Sequence, residues 1–461
     1  GPAACANRGL EHATGRYVYF LDPADHLGPE ALARLVAAAD RWGSDVLLGR
    51  QVGRNRPAAH QALYAQTDAD LGLFDSPLPW ALSNAKLFRR DLIERCRLRF
   101  PEDLPLGSDQ PFTLEACYRA ERISVLADYD YHHVGRRNDA GDLPEPDDRL
   151  RCAEKLVVFA ASLTEPGKQR DTVLLRYFTW EVAKLLDDDF LRLDEATQER
   201  IRASVAGLVG AYLTEPIRDQ LPVGIRLRLL TARFGTLDDL VTLIRRETEE
   251  GPPPVVSHGD RWYADYPGFR DPRLGFPDEW FDVTATASDW IARLDLVSVN
   301  WTPSDQGPVR SLVVTAHSPR PDLTELCDGP VRLVAQGPSG HRVCGIPTPV
   351  EQDPTGAGTG AGPGTLVRAR FNADDLLVEV PPGGENRPVF AETTALGRPG
   401  RAPVRATRRP VVQRLICRRG ARLYVITPTT NHRGELVIAI APFTPRRVIA
   451  RLRREFSRGG T

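Results

Sequence analysis

At 461 residues the chain has room for about three domains of ~150 residues each. Its 41% hydrophobic and 26% charged content excludes a mostly disordered protein, and no apolar run approaches the ~18 residues that a membrane helix needs. The balance of 60 Lys and Arg against 61 Asp and Glu hides an asymmetry, because residues 396–461 hold sixteen arginines against Glu435 and Glu455 alone.

Such a basic end suggests an anionic partner: a phosphopolymer, a nucleic acid or a membrane surface. The plainer alternative is a solvated face neutralised by the acidic domains. Lysine occurs only at Lys86, Lys155, Lys168 and Lys184, so nearly all the positive charge is guanidinium. Seven cysteines without a C-x-x-C pair argue against a disulfide scaffold and against structural zinc, and make a reducing cytoplasm the expected compartment. There is no methionine and Gly1-Pro2 runs almost at once into regular sequence, so the chain is expected to begin inside a domain.

Residues 1–147 alternate helix and strand signals. Tyr17 to Leu21 reads as a buried strand that stops at Asp22. Pro29 sits where helices favour a first-turn proline, with Leu32, Leu35, Val36 and Ala39 on one face, and Asp45 to Leu48 is the next strand. This α/β order places Asp22 and Asp25 beyond a strand's carboxyl end, where open α/β sheets bind ligands. Residues 148–250 change to helical spacing, a bundle of four or five helices expected to act as a packing spacer.

Gly251 and three prolines open a connector over residues 251–289. Short alternating strands with turn clusters then fill residues 290–443, the pattern of a β-sandwich, and the Gly-rich stretch 353–364 is a loop because a strand follows it. Residues 444–461 form a basic amphipathic helix, with Thr444 as its cap and Pro445 in its first turn, that either closes the sandwich or lies on an anionic membrane.

The chemistry concentrates in the first region. Ala6 to Leu10, Gly15 to Tyr17, Phe20-Leu21-Asp22-Pro23-Ala24-Asp25, Gly107-Ser108-Asp109-Gln110-Pro111-Phe112 and Tyr129 to His133 follow one another in a recognisable order. Together they resemble family 2 glycosyltransferases of the GT-A fold, without the usual opening strand and uridine-binding half. The helical region and the sandwich extend the likeness to wall-teichoic-acid glycosyltransferases, which add N-acetylglucosamine to polyribitol phosphate and carry a helical linker and a C-terminal trimerisation domain.

The resemblance therefore implies a partial GT-A Rossmann-like sheet, a helical linker and an immunoglobulin-like β-sandwich. It also implies a nucleotide-sugar donor, an anionic polymer acceptor, a homotrimer and cytoplasmic work at the inner face of the membrane. Asp109 is implied as the catalytic base, and Asn7, Asp22, Asp25, Ser108, Arg136 and Arg137 as substrate-binding residues. Asp22 and His133 are implied as ligands of a divalent metal, Mn or Mg.

Three positions depart from the family pattern: Ala6 where Arg is usual, Ala24 where an acid is usual, and Ser108 where Glu is frequent. Alanine at position 24 offers no oxygen to a hard cation. Read singly, Asp22, Asp25 and Asp109 are also candidate helix caps, and the adjacent His132 and His133 alternate sides of a strand, so at most one faces a site. A non-catalytic scaffold of the same shape, binding polymer and oligomerising, is the alternative. Sparse aromatics among the last arginines argue against nucleic acid.

Overall fold

The computed structural model describes residues 1–53, 61–135, 144–250, 253–304, 307–348, 351–353, 364–406, 413–431 and 434–443. The chain divides into two units, Gly1–Pro253 with Tyr266–Phe281, and Pro254–Asp265 with Asp282–Thr461.

The first unit begins with α1 (Pro2–His12), β1 (Tyr17–Tyr19), β2 (His26–Leu27), α2 (Ala31–Trp42), β3 (Val46–Gly49) and β4 (Gln51–Gly53). It continues with β5 (Leu87–Arg89), α3 (Arg90–Arg95), α4 (Asp109–Arg119), β6 (Ile123–Leu126) and β7 (His132–Val134). The uninterrupted apolar run Val46-Leu47-Leu48 makes β3 a fully buried strand, as its composition predicts. Helix α2 turns a different face inward than its leucines suggest. Ala31, Leu35, Ala38 and Ala39 are buried while Leu32 is half exposed, and Pro29 lies just ahead of the N-cap residue Glu30.

Strands pair in the order β1-β5-β3-β6, with β5 antiparallel to both neighbours and β3 parallel to β6. The carboxyl ends of β1, β3 and β6 and the amino end of β5 therefore share one edge. A three-stranded sheet, β2-β7-β4, adjoins in sequence the loops leaving that edge.

Helices α5 (Pro146–Leu163), α6 (Lys168–Tyr177), α7 (Glu195–Tyr212), α8 (Glu215–Gln220), α9 (Val223–Phe234) and α10 (Leu237–Glu250) follow. Helix α6 runs into a π-turn at Phe178–Val182. Leu114 of α4 joins the core of this bundle with Leu156, Tyr177 and Phe178, so the last helix before β6 belongs as much to the bundle as to the sheet.

Among its described residues the second unit is all-β apart from two short α-helices and two short 3-10 turns. Its elements are β8 (Val255–His258), β9 (Arg261–Ala264), α11 (Ala287–Ile291), β10 (Asp295–Ser304), β11 (Gly307–Ser318), α12 (Leu323–Leu326), β12 (Arg332–Gln336) and β13 (Arg342–Cys344). Then come β14 (Ile346–Pro347), β15 (Glu351–Asp353), β16 (Gly364–Asn372), β17 (Glu385–Ala395), β18 (Arg398–Pro403), β19 (Leu415–Arg419), β20 (Arg422–Thr430) and β21 (Leu436–Pro442).

They form antiparallel sheets ordered β10-β11-β16-β14 and β13-β12-β17-β21-β20-β19, β15 joining the first and β18 the second. The expected Gly-rich loop lies almost wholly outside the described residues, and the expected terminal helix entirely so. Among the described residues no helix is long and apolar enough to cross a membrane.

Candidate active site

The shared edge of the first sheet gathers the residues that the motifs single out. Tyr19 pairs with Leu87, so the chain leaving β1 toward Asp22 and the chain entering β5 from Lys86 meet there. An aromatic cluster joins α4 to the same place. Phe20 packs edge-on against Phe112 and Phe100 at 5.4 and 5.0 Å between centroids, and Phe100 stacks on Phe112 at 4.1 Å. The first turn of α4, which Asp109 opens, thus sits against the end of β1.

Asp109 is half-buried as a residue, with its carboxyl group desolvated. Burial pushes that carboxyl above the usual carboxylate range. The backbone N–H groups of Asp109 and Asn84 and the positive charges of Lys86 and Arg176 pull the other way.

Lys86 is 1% exposed and donates from Nζ to the carbonyls of Ala81 (2.6 Å) and Ser83. Its burial lowers the ammonium to about 8, against the opposing pull of Cys117 and Asp109. Arg176 of α6 donates to Gln110 Oε1 at 2.8 Å and pairs with Glu181 Oε2 at 3.1 Å, and the Gln110 amide donates to Glu181 Oε1 at 3.0 Å. Ser108 occupies the N-cap position of α4 without a side-chain cap bond.

The loop after β1 has its own fastening. Asp22 Oδ1 accepts from Ala24 N at 3.0 Å, and Asp25 N–H donates to the Asp22 carbonyl, which turns the chain. Asp25, expected to bind substrate, has both oxygens committed inside the protein: Oδ2 lies 2.8 Å from His132 Nε2, and Oδ1 accepts from Gly135 N at 2.7 Å. The Tyr19 hydroxyl holds the other side of the His132 ring at 2.9 Å.

His133 stands on the opposite side of β7 and stacks flat on His26, ring centroids 4.6 Å apart. Asn7 is equally engaged, donating to Phe100 O and Glu102 Oε1 and accepting from Phe100 N, each at 2.9 Å. Arg136 and Arg137 lie outside the described residues.

These placements bear on the expected cation. Ala24 supplies no side-chain oxygen, Asp25 is spent on His132 and Gly135, and His133 is turned toward His26. Among the described residues no group of three or more His, Cys, Asp or Glu could hold a metal ion. The donor set does not fit a metal centre built on Asp22 and His133.

Three side chains near Asp109, Lys86, Arg176 and Glu181, lie outside the motifs, and Gln110 lies inside one without a role of its own. Two of them left a signal. Lys86 is one of only four lysines in an arginine-rich chain, and Arg176 interrupts the apolar face of Val173, Leu174, Tyr177 and Phe178.

Comparison with known proteins places the chain's two N-terminal regions beside known families. Residues 1–95 match the glycosyl transferase family 2 description, and residues 146–244 match the glycosyl transferase TarS linker domain. The chain is 30% identical over 257 residues to a poly(ribitol-phosphate) beta-glucosyltransferase of Bacillus spizizenii, a match covering 54% of this chain and 40% of that one. It is 35% identical over 137 residues to the poly(ribitol-phosphate) beta-N-acetylglucosaminyltransferase TarS of Staphylococcus aureus, covering 30% of this chain and 24% of that one. The matches thus span less than half the length of either relative.

The crystal structure of S. aureus TarS shares the fold with a TM-score of 0.53 at 17% identity, over 97% of this chain and 74% of that one. TarS 1–349 in complex with UDP-GlcNAc does so with a TM-score of 0.51 at 24% identity, over 60% and 78%.

Proposed function

We propose that this chain, a family 2 glycosyltransferase domain joined to a TarS-type linker domain, is an inverting glycosyltransferase that moves a sugar from a UDP-sugar to a hydroxyl of a phosphate-containing polymer of the teichoic-acid kind. The observation that carries the reading is Asp109: a desolvated carboxylate with raised proton affinity, opening a helix at the ligand-binding edge of the sheet. The family matches and the names of the two relatives support the donor and acceptor classes.

The chemistry follows from that carboxylate. As the acceptor oxygen bonds to the anomeric carbon, Asp109 takes the hydroxyl proton. The bond from that carbon to the diphosphate oxygen breaks on the opposite face, and its electron pair leaves with the nucleoside diphosphate. A single displacement inverts the anomeric centre. A base in water at its ordinary acidity would hold the proton weakly, whereas desolvation raises its affinity. Arg136 and Arg137 belong to this reading as the groups that meet the diphosphate charge, and Asp22 and Ser108 as donor contacts.

The enzyme on this reading works in the cytoplasm at the inner face of the membrane, and all seven of its cysteines are unpaired. It assembles as a trimer through its second unit, which light scattering tests directly.

The deciding experiment incubates the chain with UDP-GlcNAc or UDP-glucose and poly(ribitol phosphate) and follows UDP release and sugar incorporation. Transfer that Asp109→Asn abolishes supports the reading, and undiminished turnover in that variant ends it. The unassembled metal donors favour one competitor, a scaffold that keeps the shape without the chemistry. Titration calorimetry with UDP-GlcNAc separates the two, since a scaffold releases no heat.

A further inference from the structure

Arg176 and Glu181 are five residues apart. On an α-helix that spacing turns side chains about 140° away from one another, and only neighbours three or four apart meet. Here they meet at 3.1 Å, with side chains 6% and 16% exposed. The reason is the π-turn at Phe178–Val182, where the Ala183 N–H reaches back five residues to the Phe178 carbonyl. One extra residue in the turn swings Glu181 back over Arg176. Such insertions are frequent at functional positions.

The aligned pair closes on Gln110, the residue after Asp109. Arg176 donates to its carbonyl oxygen and Glu181 accepts from its amide, so both ends of the carboxamide are held. The arrangement leaves Arg176 Nε and the Tyr177 hydroxyl buried without hydrogen-bond partners. Those are costs that packing alone would remove by substituting apolar side chains. The Arg176 guanidinium is further fixed over the rings of Tyr177 and Trp180, at 5.0 and 5.2 Å.

We infer that the linker's Arg176–Glu181 pair, brought into line by the π-turn, is a positioning clamp: it grips the Gln110 carboxamide and thereby holds the first turn of α4 and the Asp109 carboxylate in place for proton transfer. The inference rests on the proposed glycosyl transfer for its catalytic consequence and on the structure alone for its mechanical one. It makes the linker domain a working part of the active site rather than a spacer.

The test uses the full chain and two variants, Gln110→Leu and Arg176→Leu, with Glu181→Gln as the conservative partner that keeps an acceptor. In Gln110→Leu, kcat for transfer from UDP-GlcNAc to poly(ribitol phosphate) falls about 10- to 100-fold while the donor KM stays within about twofold, as expected for a reacting group displaced by ~1 Å. Glu181→Gln keeps one of the two acceptors and sets its NH2 against the other donor, so its kcat falls between those of the parent and Gln110→Leu. Arg176→Leu also removes a positive charge near Asp109, so the acid limb of its kcat profile moves to higher pH. Lys86, Tyr177 and Glu181, the other charged or titratable groups around the network, are unchanged in that variant.

Hydrogen exchange supplies a readout independent of turnover: the first-turn amides of α4 exchange at least about tenfold faster in Gln110→Leu, with global melting preserved. Unchanged exchange, or a folded Gln110→Leu enzyme with kcat within twofold of the parent, overturns the clamp. Faster exchange in a chain whose parent transfers no sugar leaves the clamp standing and refutes the glycosyl-transfer reading instead.

Discussion

Asp25 and Asp109 both follow motif positions and both lie at element ends, yet their surroundings use them differently. Each oxygen of Asp25 meets a nearby donor, the His132 ring and the Gly135 N–H, so the carboxylate is a fastener between the β1 loop and β7. Asp109 meets the backbone N–H groups of Asp109 and Asn84, yet burial outweighs them together with the nearby charges of Lys86 and Arg176. A carboxylate satisfied by short bonds holds structure together, whereas one kept desolvated retains an appetite for a proton. On the proposed reading, the contrast separates a fastening carboxylate from a candidate base.

The sharpest way to break it is Asp109→Asn. Removing a general base costs about 10²–10⁴-fold in rate, with UDP-sugar affinity from calorimetry held within about threefold. The parent rate falls as pH drops through a folded-state pKa lying above the usual carboxylate range, because the protonated acid cannot accept. Linkage gives the stability the opposite sense. The native state binds the Asp109 proton more tightly than the unfolded chain, so its contribution to stability is lost as pH rises through that pKa. Asp109→Asn therefore melts higher at neutral pH, by about 0.5–2 kcal/mol in the range of such activity-for-stability exchanges. A variant that keeps its rate and melts lower would reverse the assignments of the two aspartates.

Next in size is the fastener. At Gly135 an added Cβ would lie 1.7 Å from the Ala24 carbonyl oxygen, so Gly135→Ala forces the loop off β7. Asp25→Ala leaves the His132 ring and the Gly135 N–H without their acceptor. Each costs about 1–3 kcal/mol in denaturant unfolding, and activity in the folded fraction declines less than in Asp109→Asn. An Asp25→Ala protein of parental stability that loses all transfer would return Asp25 to the site.

Lys86→Met removes the donor that the Ala81 and Ser83 carbonyls share, a loss of about 1–3 kcal/mol for groups left unsatisfied in a buried turn. Lys86 also leaves a pH signature. Its native pKa of about 8 lies below that of the unfolded chain, so parental stability rises with pH above 8 until the unfolded lysine also deprotonates, and Lys86→Met lacks that rise.

How far the residues announced this arrangement varies with the physics involved. The buried strand Val46 to Leu48 and the helical spacing after residue 147 declare themselves, because burial on both faces and a 3.6-residue period each leave a pattern. Strand β17 does not. Its alternation is broken by Pro388 and by Arg387, which is fully buried with Glu385 and the Val378 carbonyl accepting from it. Strand alternation shows that His132 and His133 face opposite ways, but their partners in Asp25 and His26 decide which turns inward. The Gln110 clamp is the least legible part. It joins residues 66 and 71 positions apart, and it depends on a π-turn that no hydrophobic period encodes.

Asn7 gives the smallest expected effect and the finest test of the same distinction. Motif order marks it as a substrate contact, while its side chain makes three bonds of 2.9 Å to Phe100 and Glu102 and so anchors α1 to the segment that carries Phe100 into the aromatic cluster. Asn7→Ala therefore lowers stability by about 1–2 kcal/mol, the net worth of such bonds in a half-buried setting, and leaves UDP-sugar affinity unchanged when folded protein is compared with folded protein. Calorimetry run beside urea unfolding decides it. A fall in affinity without a fall in unfolding midpoint would mean that the asparagine touches donor, and that partners seen within the chain do not by themselves mark a residue as scaffold.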